Sequence, residues 1–380
     1  MHGHNATAVA YRVLLGLGVL DAAGYSIIVP IAPAIADATG AGPATIGFMV
    51  ASFPVGMVVG FWLAGRLMER RGVRPLLVVS LLLVALGALG FVLGDSLAIY
   101  FPARLVMGLG SGGLWIGITF ETLERWPGQE YLCMSRIFAA YSIGGLVGPA
   151  LGAIGGTALP FAAYLALVSA AVPLVVILPH PRERRAFSSD RSALRLRGFW
   201  LAAAAILFAV LALGMLEGVL PLHFAERLTQ AEIGALYVGI ALVVTTSAAA
   251  AGSRPPRSMI FGSVLLAVAG IALAGAVAEI PLWLLALLLA AVGIGIGNTG
   301  SLGVLVESVN VERIVTAMVV WSQVGIVGYL LGPLLGGAVA EHFGYGAIGL
   351  LPAAAGLAVL ILVFASGATT VGAARRSSSG

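Results

Sequence analysis

Long apolar runs alternate with short polar loops along the chain. Each run is close to or above the roughly 20 residues that an α-helix needs to cross the hydrocarbon core of a bilayer. The runs lie at 11–35, 43–64, 75–94, 98–120, 137–156, 160–179, 198–222, 232–252, 258–278, 281–305, 314–340 and 346–366. This pattern predicts an all-α membrane protein with twelve transmembrane helices.

The composition strengthens this prediction. Of the 380 residues, 60% are hydrophobic and 9% are charged, and the mean hydropathy is +1.07. A soluble domain carries about 25% charged residues. Lipid must therefore be the solvent for most side chains, and twelve spans leave no room for a sizeable soluble domain.

Other kinds of chemistry have little support in the chain. The net charge of +4 is too small and too scattered to suggest a nucleic-acid partner. Cys133 is the only cysteine, so an intramolecular disulfide is impossible and a thiolate metal site is not expected. The spans contain no nucleophile–base pair, so we expect no enzyme, no metal and no cofactor.

The distribution of arginine predicts the orientation in the membrane. Arginines concentrate in the loops on one side of the predicted spans, whereas the opposite loops hold only Arg227. Because cytoplasmic loops are enriched in basic residues, we expect both termini in the cytoplasm. The protein would then be a multi-pass protein of the cytoplasmic (inner) membrane.

The two halves of the chain resemble each other. The motif Leu17–Asp21 of span 1 is similar to Leu213–Glu217 of span 7, and Gly148-Pro149 of span 5 is similar to Gly332-Pro333 of span 11. Repeats in parallel order predict two bundles related by an axis along the membrane normal. We assign a six-helix bundle to 1–179, a cytoplasmic linker to 180–197, and a second six-helix bundle with a short cytoplasmic tail to 198–380.

The loop after span 2 has a distinctive spacing of glycines and charges. Its defining residues are Gly65, Glu69, Arg70, Gly72 and Arg74. This spacing resembles the signature loop of the major facilitator superfamily, with Glu69 where that family usually has Asp and Val73 where it usually has a basic residue. The resemblance implies a conformational latch, in which Glu121 would pair with Arg70 or Arg74. The alternative is that these arginines only determine the topology.

Spans 5 and 11 carry glycine–proline motifs at matching positions. The motif residues are Gly144, Gly148, Pro149, Gly152, Gly332, Pro333 and Gly336. They resemble the helix-5 motif of the superfamily's antiporters, although Ala153 replaces its last glycine. The resemblance to the twelve-helix drug:proton antiporter group implies export rather than uptake.

Three charged residues lie within predicted spans, where they are costly unless they face the protein interior. Asp21 lies about nine residues after Arg12, hence roughly 13 Å into the membrane at 1.5 Å per residue. A carboxyl at that depth can exchange a proton or hold a cationic substrate. Arg104 resembles an arginine in span 4 of the family that has been linked to proton coupling. Its alternative role is structural, as a hydrogen-bond donor to carbonyl groups of helix 1. Glu217 is the counterpart of Asp21 in the second half, which suggests a similar function. The alternative is that its carboxylate only lies in the outer vestibule.

The superfamily fold would bring spans 1, 4, 7 and 10 to the centre of the molecule, flanked by spans 2, 5, 8 and 11. Aromatic and methionine side chains there suit apolar or cationic solutes, and ordinary helix packing is the alternative for each of them. The candidates for a central cavity are Tyr25, Met49, Phe53, Trp115, Tyr141, Met215, Asn298, Trp321 and Gln323.

Taken together, the motifs and the resemblance predict a secondary active transporter. We expect a proton-coupled antiporter that exports a small hydrophobic or cationic molecule, is driven by the proton gradient, and works as a monomer in the lipid bilayer. Asp21, Arg104 and Glu217 would serve proton coupling or substrate binding. The alternative is a proton symporter or facilitator that imports a sugar or an organic acid.

Overall fold

A computed structural model describes residues 2–126, 129–178, 191–252 and 254–377. Twelve long α-helices, two short ones and two 3₁₀ helices lie within these ranges. The long helices are α1 (His2–Ser26), α3 (Pro43–Arg71), α4 (Val73–Leu93), α5 (Leu97–Arg125), α6 (Glu130–Gly152), α7 (Ala158–Ile177), α8 (Arg197–Gly218), α10 (Gln230–Ala251), α11 (Pro256–Ala276), α12 (Ile280–Ser308), α13 (Val311–Phe343) and α14 (Leu350–Ser377). The short helices are α2 (Ala32–Thr39) and α9 (Leu220–Phe224), and the 3₁₀ helices are Arg191–Arg195 and Tyr345–Ala347.

Most of the long helices have the length and apolar composition of membrane spans. Ten of them meet this requirement over the described residues, and α1 and α6 are the two that do not. The prediction of an all-α, multi-pass membrane protein is confirmed.

Two predicted spans differ from the structure at their C-terminal ends. The prediction of one continuous helix over 11–35 is wrong, because α1 ends at Ser26 and α2 begins only at Ala32. Pro30 lacks an amide hydrogen and disfavours helix in the residue before it, so the chain turns here. The span predicted at 198–222 lies within one membrane-length segment, Arg197–Phe224, in which a single residue, Val219, interrupts the helix between α8 and α9.

Other helices run beyond the predicted apolar cores. α3 continues to Arg71 and α5 to Arg125, because hydropathy marks only the part of a helix that lies in lipid. α14 extends to Ser377, so most of the predicted tail is helical. Of the predicted linker 180–197, residues 180–190 lie outside the described part of the chain, and α8 begins at its last residue, Arg197.

The described chain forms two compact units. Unit 1 comprises 1–186 together with 221–241, and unit 2 comprises 187–220 together with 242–380. The bundle boundaries predicted from the sequence stay a prediction, and the two units are described separately below.

Glycines of the predicted antiporter-like motif lie where helices pack closely in unit 1. A Cβ atom added at Gly148 of α6 would lie 2.7 Å from the carbonyl oxygen of Ala23, and one at Gly152 would lie 2.5 Å from that of Ile27. These distances are too short for any side chain. The backbones of α1 and α6 are therefore in direct contact, as small residues permit in membrane helices.

The same arrangement occurs in unit 2 between α8 and α13. A Cβ atom at Gly332 would lie 2.5 Å from the carbonyl oxygen of Leu211, and Pro333 packs against Gly214 and Gly218. The repeated motif thus serves the same packing purpose in both units.

The start of α10 docks on the end of α6 within unit 1. Thr229 and Glu232 form a capping box, in which each side chain accepts a hydrogen bond from the other residue's backbone N–H. The Gln230 side chain donates to the carbonyl oxygens of Gly152 and Gly156 at 2.7 and 2.9 Å. These contacts hold Gln230 against the turn that follows the glycine–proline motif.

Candidate functional site

Asp21 lies in the interior of unit 1. It is 3% exposed, and its carboxylate accepts a hydrogen bond of 2.6 Å from the hydroxyl group of Tyr141 on α6. The Ser111 hydroxyl on α5 also hydrogen-bonds to this carboxylate. Among the described residues, no cation forms an ion pair with Asp21, so the known partners of this carboxyl are neutral hydroxyl groups.

Small and aromatic neighbours fix the position of Tyr141. A Cβ atom at Gly18, one turn before Asp21, would lie 3.1 Å from the tyrosine ring, so glycine makes room for the ring on α1. Trp115 contacts the ring edge-on, with centroids 5.1 Å apart and planes at 81°. The hydroxyl group is thereby directed at the carboxylate.

Arg104 is completely buried and bonds to the backbone of α1. Its two terminal nitrogens donate to the carbonyl oxygens of Gly24 and Tyr25 at 2.8 and 2.6 Å. Its guanidinium group also lies 4.5 Å from the centre of the Phe53 ring and 5.3 Å from that of Tyr25. These contacts match the structural role predicted for Arg104, in which it bonds to carbonyl groups of helix 1.

These contacts complete the C-terminal end of α1. The last four carbonyl groups of a helix have no partner within it. Here the carbonyl oxygen of Ala23 accepts from Ile27, that of Ser26 accepts from Val29, and the two between them accept from Arg104. A positive charge at this end also complements the helix dipole. Arg104 therefore caps the break that Pro30 causes.

Tyr164 of α7 completes this cluster and was not predicted from the sequence. Its hydroxyl group donates to the carbonyl oxygen of Leu20 at 3.0 Å and occupies the space that a side chain at Gly24 would need. Ser111 was missed in the same way. A lone tyrosine or serine in an apolar span carries no pattern that marks it.

The remaining cavity candidates of unit 1 are mostly buried. Tyr25 and Phe53 contact edge-on at 5.3 Å, and Met49 lies one turn before Phe53 on α3 with no exposed surface. The candidates of unit 1 therefore form two groups beside α1. Tyr141 and Trp115 lie at the Asp21 carboxyl, and Tyr25 and Phe53 lie at the Arg104 guanidinium.

Two of the unit 2 candidates, Trp321 and Met215, pack between helices, whereas Asn298 has a polar atom without a hydrogen-bond partner among the described residues. Trp321 donates to the Ser301 hydroxyl at 2.7 Å, which itself donates to the carbonyl of Ala202 at 2.7 Å, so its indole links three helices. Met215 is fully buried, in contact range of Gly336. The amide oxygen of Asn298 is buried and has no hydrogen-bond partner among the described residues.

Glu217 and Gln323 are both half-buried. Glu217 lies in the last turn of α8, one residue before its end at Gly218. Its roles in proton coupling and substrate binding stay a prediction.

The latch residues surround the junction between α3 and α4. Gly72 joins these helices with φ of 89°, a left-handed conformation that favours glycine. Glu69 and Arg70 lie exposed on the last turn of α3, and Arg74 donates to the carbonyl oxygen of Leu178 at 2.8 Å.

Glu121 has an ion-pair partner on its own helix. This buried carboxylate accepts a hydrogen bond from the guanidinium of Arg125, and the pairing with Arg70 or Arg74 stays a prediction. Arg125 lies one turn later on α5, at the i,i+4 spacing at which oppositely charged side chains of one helix form an ion pair. Whether the loop acts as a latch stays a prediction.

Buried charged groups inside a bundle of membrane-crossing helices are typical of membrane transporters. The family model of the Major Facilitator Superfamily matches residues 14–255, and the chain belongs to that superfamily. The family resemblance seen in the sequence is thereby confirmed.

Two bacterial relatives have informative names. The chain is 26% identical over 160 residues to Multidrug resistance protein 2 of Bacillus subtilis (strain 168), an alignment that covers 40% of each chain. It is 23% identical over 237 residues to Multidrug resistance protein 1 of the same organism, covering 58% of this chain and 60% of the relative. The chain therefore matches about half the length of these relatives.

Solved structures share the fold over nearly the whole chain. A bacterial homologue of the human lysosomal transporter Spinster, in an inward-facing and unoccupied conformation, has a TM-score of 0.73 at 11% identity and covers 96% of both chains. A D-xylose–proton symporter has a TM-score of 0.74 at 15% identity, covering 93% of this chain and 96% of its own. At such identities the likeness concerns the fold alone, and it confirms the major facilitator architecture predicted above.

Proposed function

We propose that the protein is a proton-coupled antiporter that exports a small hydrophobic or cationic molecule. The glycine–proline motifs of α6 and α13 and the names of the two Bacillus subtilis relatives support export. The proton gradient would supply the energy. The proposal includes a monomeric protein in the cytoplasmic membrane with both termini in the cytoplasm.

The observation that carries the proposal is the buried carboxyl of Asp21. A carboxylate removed from water without a counter-charge is costly. The described partners of Asp21 are the hydroxyl groups of Tyr141 and Ser111, which stabilise it without neutralising it. A proton or a cationic substrate would each supply the missing positive charge.

Competition for this one group gives a simple exchange mechanism. When Asp21 is accessible from the cytoplasm, a cationic substrate binds near it and the proton leaves. When Asp21 is accessible from the other side, a proton replaces the substrate and the protein returns to its first state. Tyr141 positions the carboxyl in both steps, Arg104 fixes the end of α1 beside it, and Glu217 offers a second acid in unit 2.

The test is proton-driven transport in proteoliposomes containing the full chain. The probe is ethidium, a small aromatic cation, and the imposed pH gradient is the only energy source. We expect Asp21→Asn to abolish gradient-driven ethidium transport, because the amide cannot exchange a proton. Asp37→Asn is the matched control, since Asp37 is an exposed acid on α2, and this variant should transport normally.

Two results separate the parts of this proposal. Normal gradient-driven transport by a folded Asp21→Asn protein would show that another group couples the proton. Uptake of ethidium together with protons, instead of exchange against them, would overturn antiport and favour symport.

A further inference from the structure

A groove on the surface of unit 1 is not used by the proposed transport mechanism. It has a volume of about 770 Å³ and lies between α3 and α4, with α5 as its floor. Its walls are apolar except for Ser80 and for one end, where two arginines lie. The principal lining residues are Leu63, Arg66, Arg70, Val79, Leu83 and Leu109.

Small residues on the helices create this groove. Gly60 of α3 packs against the backbone of Leu109, and Gly113 of α5 packs against Ser80 of α4. Both outer helices therefore lie close to α5. The furrow between α3 and α4 above it is left open.

The groove matches one leaflet of a bilayer in length and polarity. From Gly60 to Arg70 along α3, ten residues rise about 15 Å, which is half of the roughly 30 Å hydrocarbon core. The apolar wall continues into exposed side chains that suit contact with lipid, including Leu63 and Val79, each 40% exposed.

The basic end of the groove lies where headgroups are expected. Arg66 and Arg70 are exposed, one turn apart on α3, and neither forms an ion pair with a described residue. The guanidinium of Arg66 stacks on the ring of Trp62 at 3.4 Å, and this tryptophan is 57% exposed. Tryptophans are enriched at the membrane–water interface, which fits headgroup depth.

The surrounding charges also favour an anion. Residues 66–74 contain four arginines and a single acid, Glu69. Of these arginines, Arg74 is engaged with the carbonyl oxygen of Leu178, and Arg71 does not line the groove. Arg66 and Arg70 are thus the guanidinium groups available to a ligand in the groove.

We propose that the groove between α3 and α4 binds an anionic phospholipid, with its phosphate at Arg66 and Arg70 and an acyl chain along Leu63, Val79 and Leu83. The ligand must be amphiphilic, because one end of the groove is cationic and the rest is apolar. Basic pockets between membrane helices bind anionic lipid headgroups for this reason.

Native mass spectrometry of the full-length protein tests the assignment. The probes are phosphatidylglycerol, phosphatidylcholine and inorganic phosphate. We expect phosphatidylglycerol to bind more tightly than phosphatidylcholine. The double variant Arg66→Gln/Arg70→Gln should weaken phosphatidylglycerol binding by about thirtyfold, at roughly 1 kcal/mol for each arginine. Arg71→Gln, which removes an exposed arginine outside the groove, should leave the affinity nearly unchanged.

A second pair of variants tests the apolar part without changing charge. Val79→Trp fills the groove and should also displace the lipid, whereas Leu82→Trp, at a 53% exposed position of α4 outside the lining, should not. Thermal unfolding verifies that each variant is folded.

Three outcomes would overturn the assignment. One is unchanged phosphatidylglycerol binding in Val79→Trp or in the double arginine variant. Another is an equal loss of phosphatidylglycerol affinity in Arg71→Gln, which would show that the lipid is attracted by the surface charge in general and not by this groove. The third is displacement of the lipid by inorganic phosphate at the same concentration, which would identify a phosphate site. Because the readout is lipid binding, failure here leaves the proposed transport untouched.

Discussion

At the scale of single residues, the two costly charges of unit 1 have different surroundings. Arg104 is held by backbone carbonyl oxygens, whereas Asp21 is held only by hydroxyl groups among the described residues. The hydrogen bonds to the end of α1 explain why an arginine is buried at this position. This contrast supports the proposal that Asp21, and not Arg104, is the group whose charge changes during transport.

This difference predicts how Arg104 responds to a conservative change. Arg104→Lys keeps the charge, but an ammonium group cannot reproduce the planar fork that reaches two adjacent carbonyl groups. Since a hydrogen bond to a charged group contributes about 1.5–3 kcal/mol, we expect stability to fall by about 2 kcal/mol. Thermal unfolding in detergent measures this, with the exposed Arg71→Lys as control. Equal stability of Arg104→Lys and the wild type would contradict the capping role.

At the scale of helices, packing is set by glycines that bring backbones into contact. The contacts on α1 and on α8 involve the same motif in the two units. This gives the glycine–proline motif a physical role that does not depend on the direction of transport.

Two neighbouring glycines of α6 make the packing role testable. A Cβ atom at Gly148 would meet Ser26, Ala23 and Ile27, whereas one at Gly145 has nothing within 4 Å. We expect Gly148→Ala to destabilise the protein by about 1–3 kcal/mol, as overpacking does. Gly145→Ala should be neutral or stabilising by up to about 1 kcal/mol, because alanine favours helix. Thermal unfolding measures both variants, and a similar change in stability for the two would contradict the packing role of Gly148.

The sequence predicted where helices lie better than where they turn or which faces meet. Apolar runs located all twelve long helices, but the break after Ser26 was missed because Pro30 lies within an uninterrupted apolar stretch. Tyr141 and Asp21 were each singled out, yet their hydrogen bond was not foreseen. Lipid is as apolar as the protein interior, so hydrophobic periodicity does not identify the inward face of a membrane helix.

At the scale of the whole molecule, the distribution of arginine predicts a single orientation. Asp37 lies on α2 and Arg71 at the end of α3, at opposite ends of the helix that separates them. With both termini in the cytoplasm, Asp37 faces the outside and Arg71 the inside.

Cysteine labelling can test this orientation directly. Cys133 is the only cysteine and is 4% exposed, so Cys133→Ala gives a background without thiols. A membrane-impermeant maleimide added to intact cells should label Asp37→Cys but not Arg71→Cys in that background. Arg71→Cys should react only after the membrane is opened. The reverse pattern would place the termini outside.

The cap on α1 has a consequence for biosynthesis. The carbonyl group of Gly24 is satisfied by an arginine 80 residues further along the chain. At a synthesis rate of about 5–20 residues per second, the end of α1 waits roughly 4–16 s for α5 to be made. During that interval the carbonyl groups of Gly24 and Tyr25 lack the partner that they have in the folded protein. The first helix to be made is therefore completed at its end only after α5 has been synthesised.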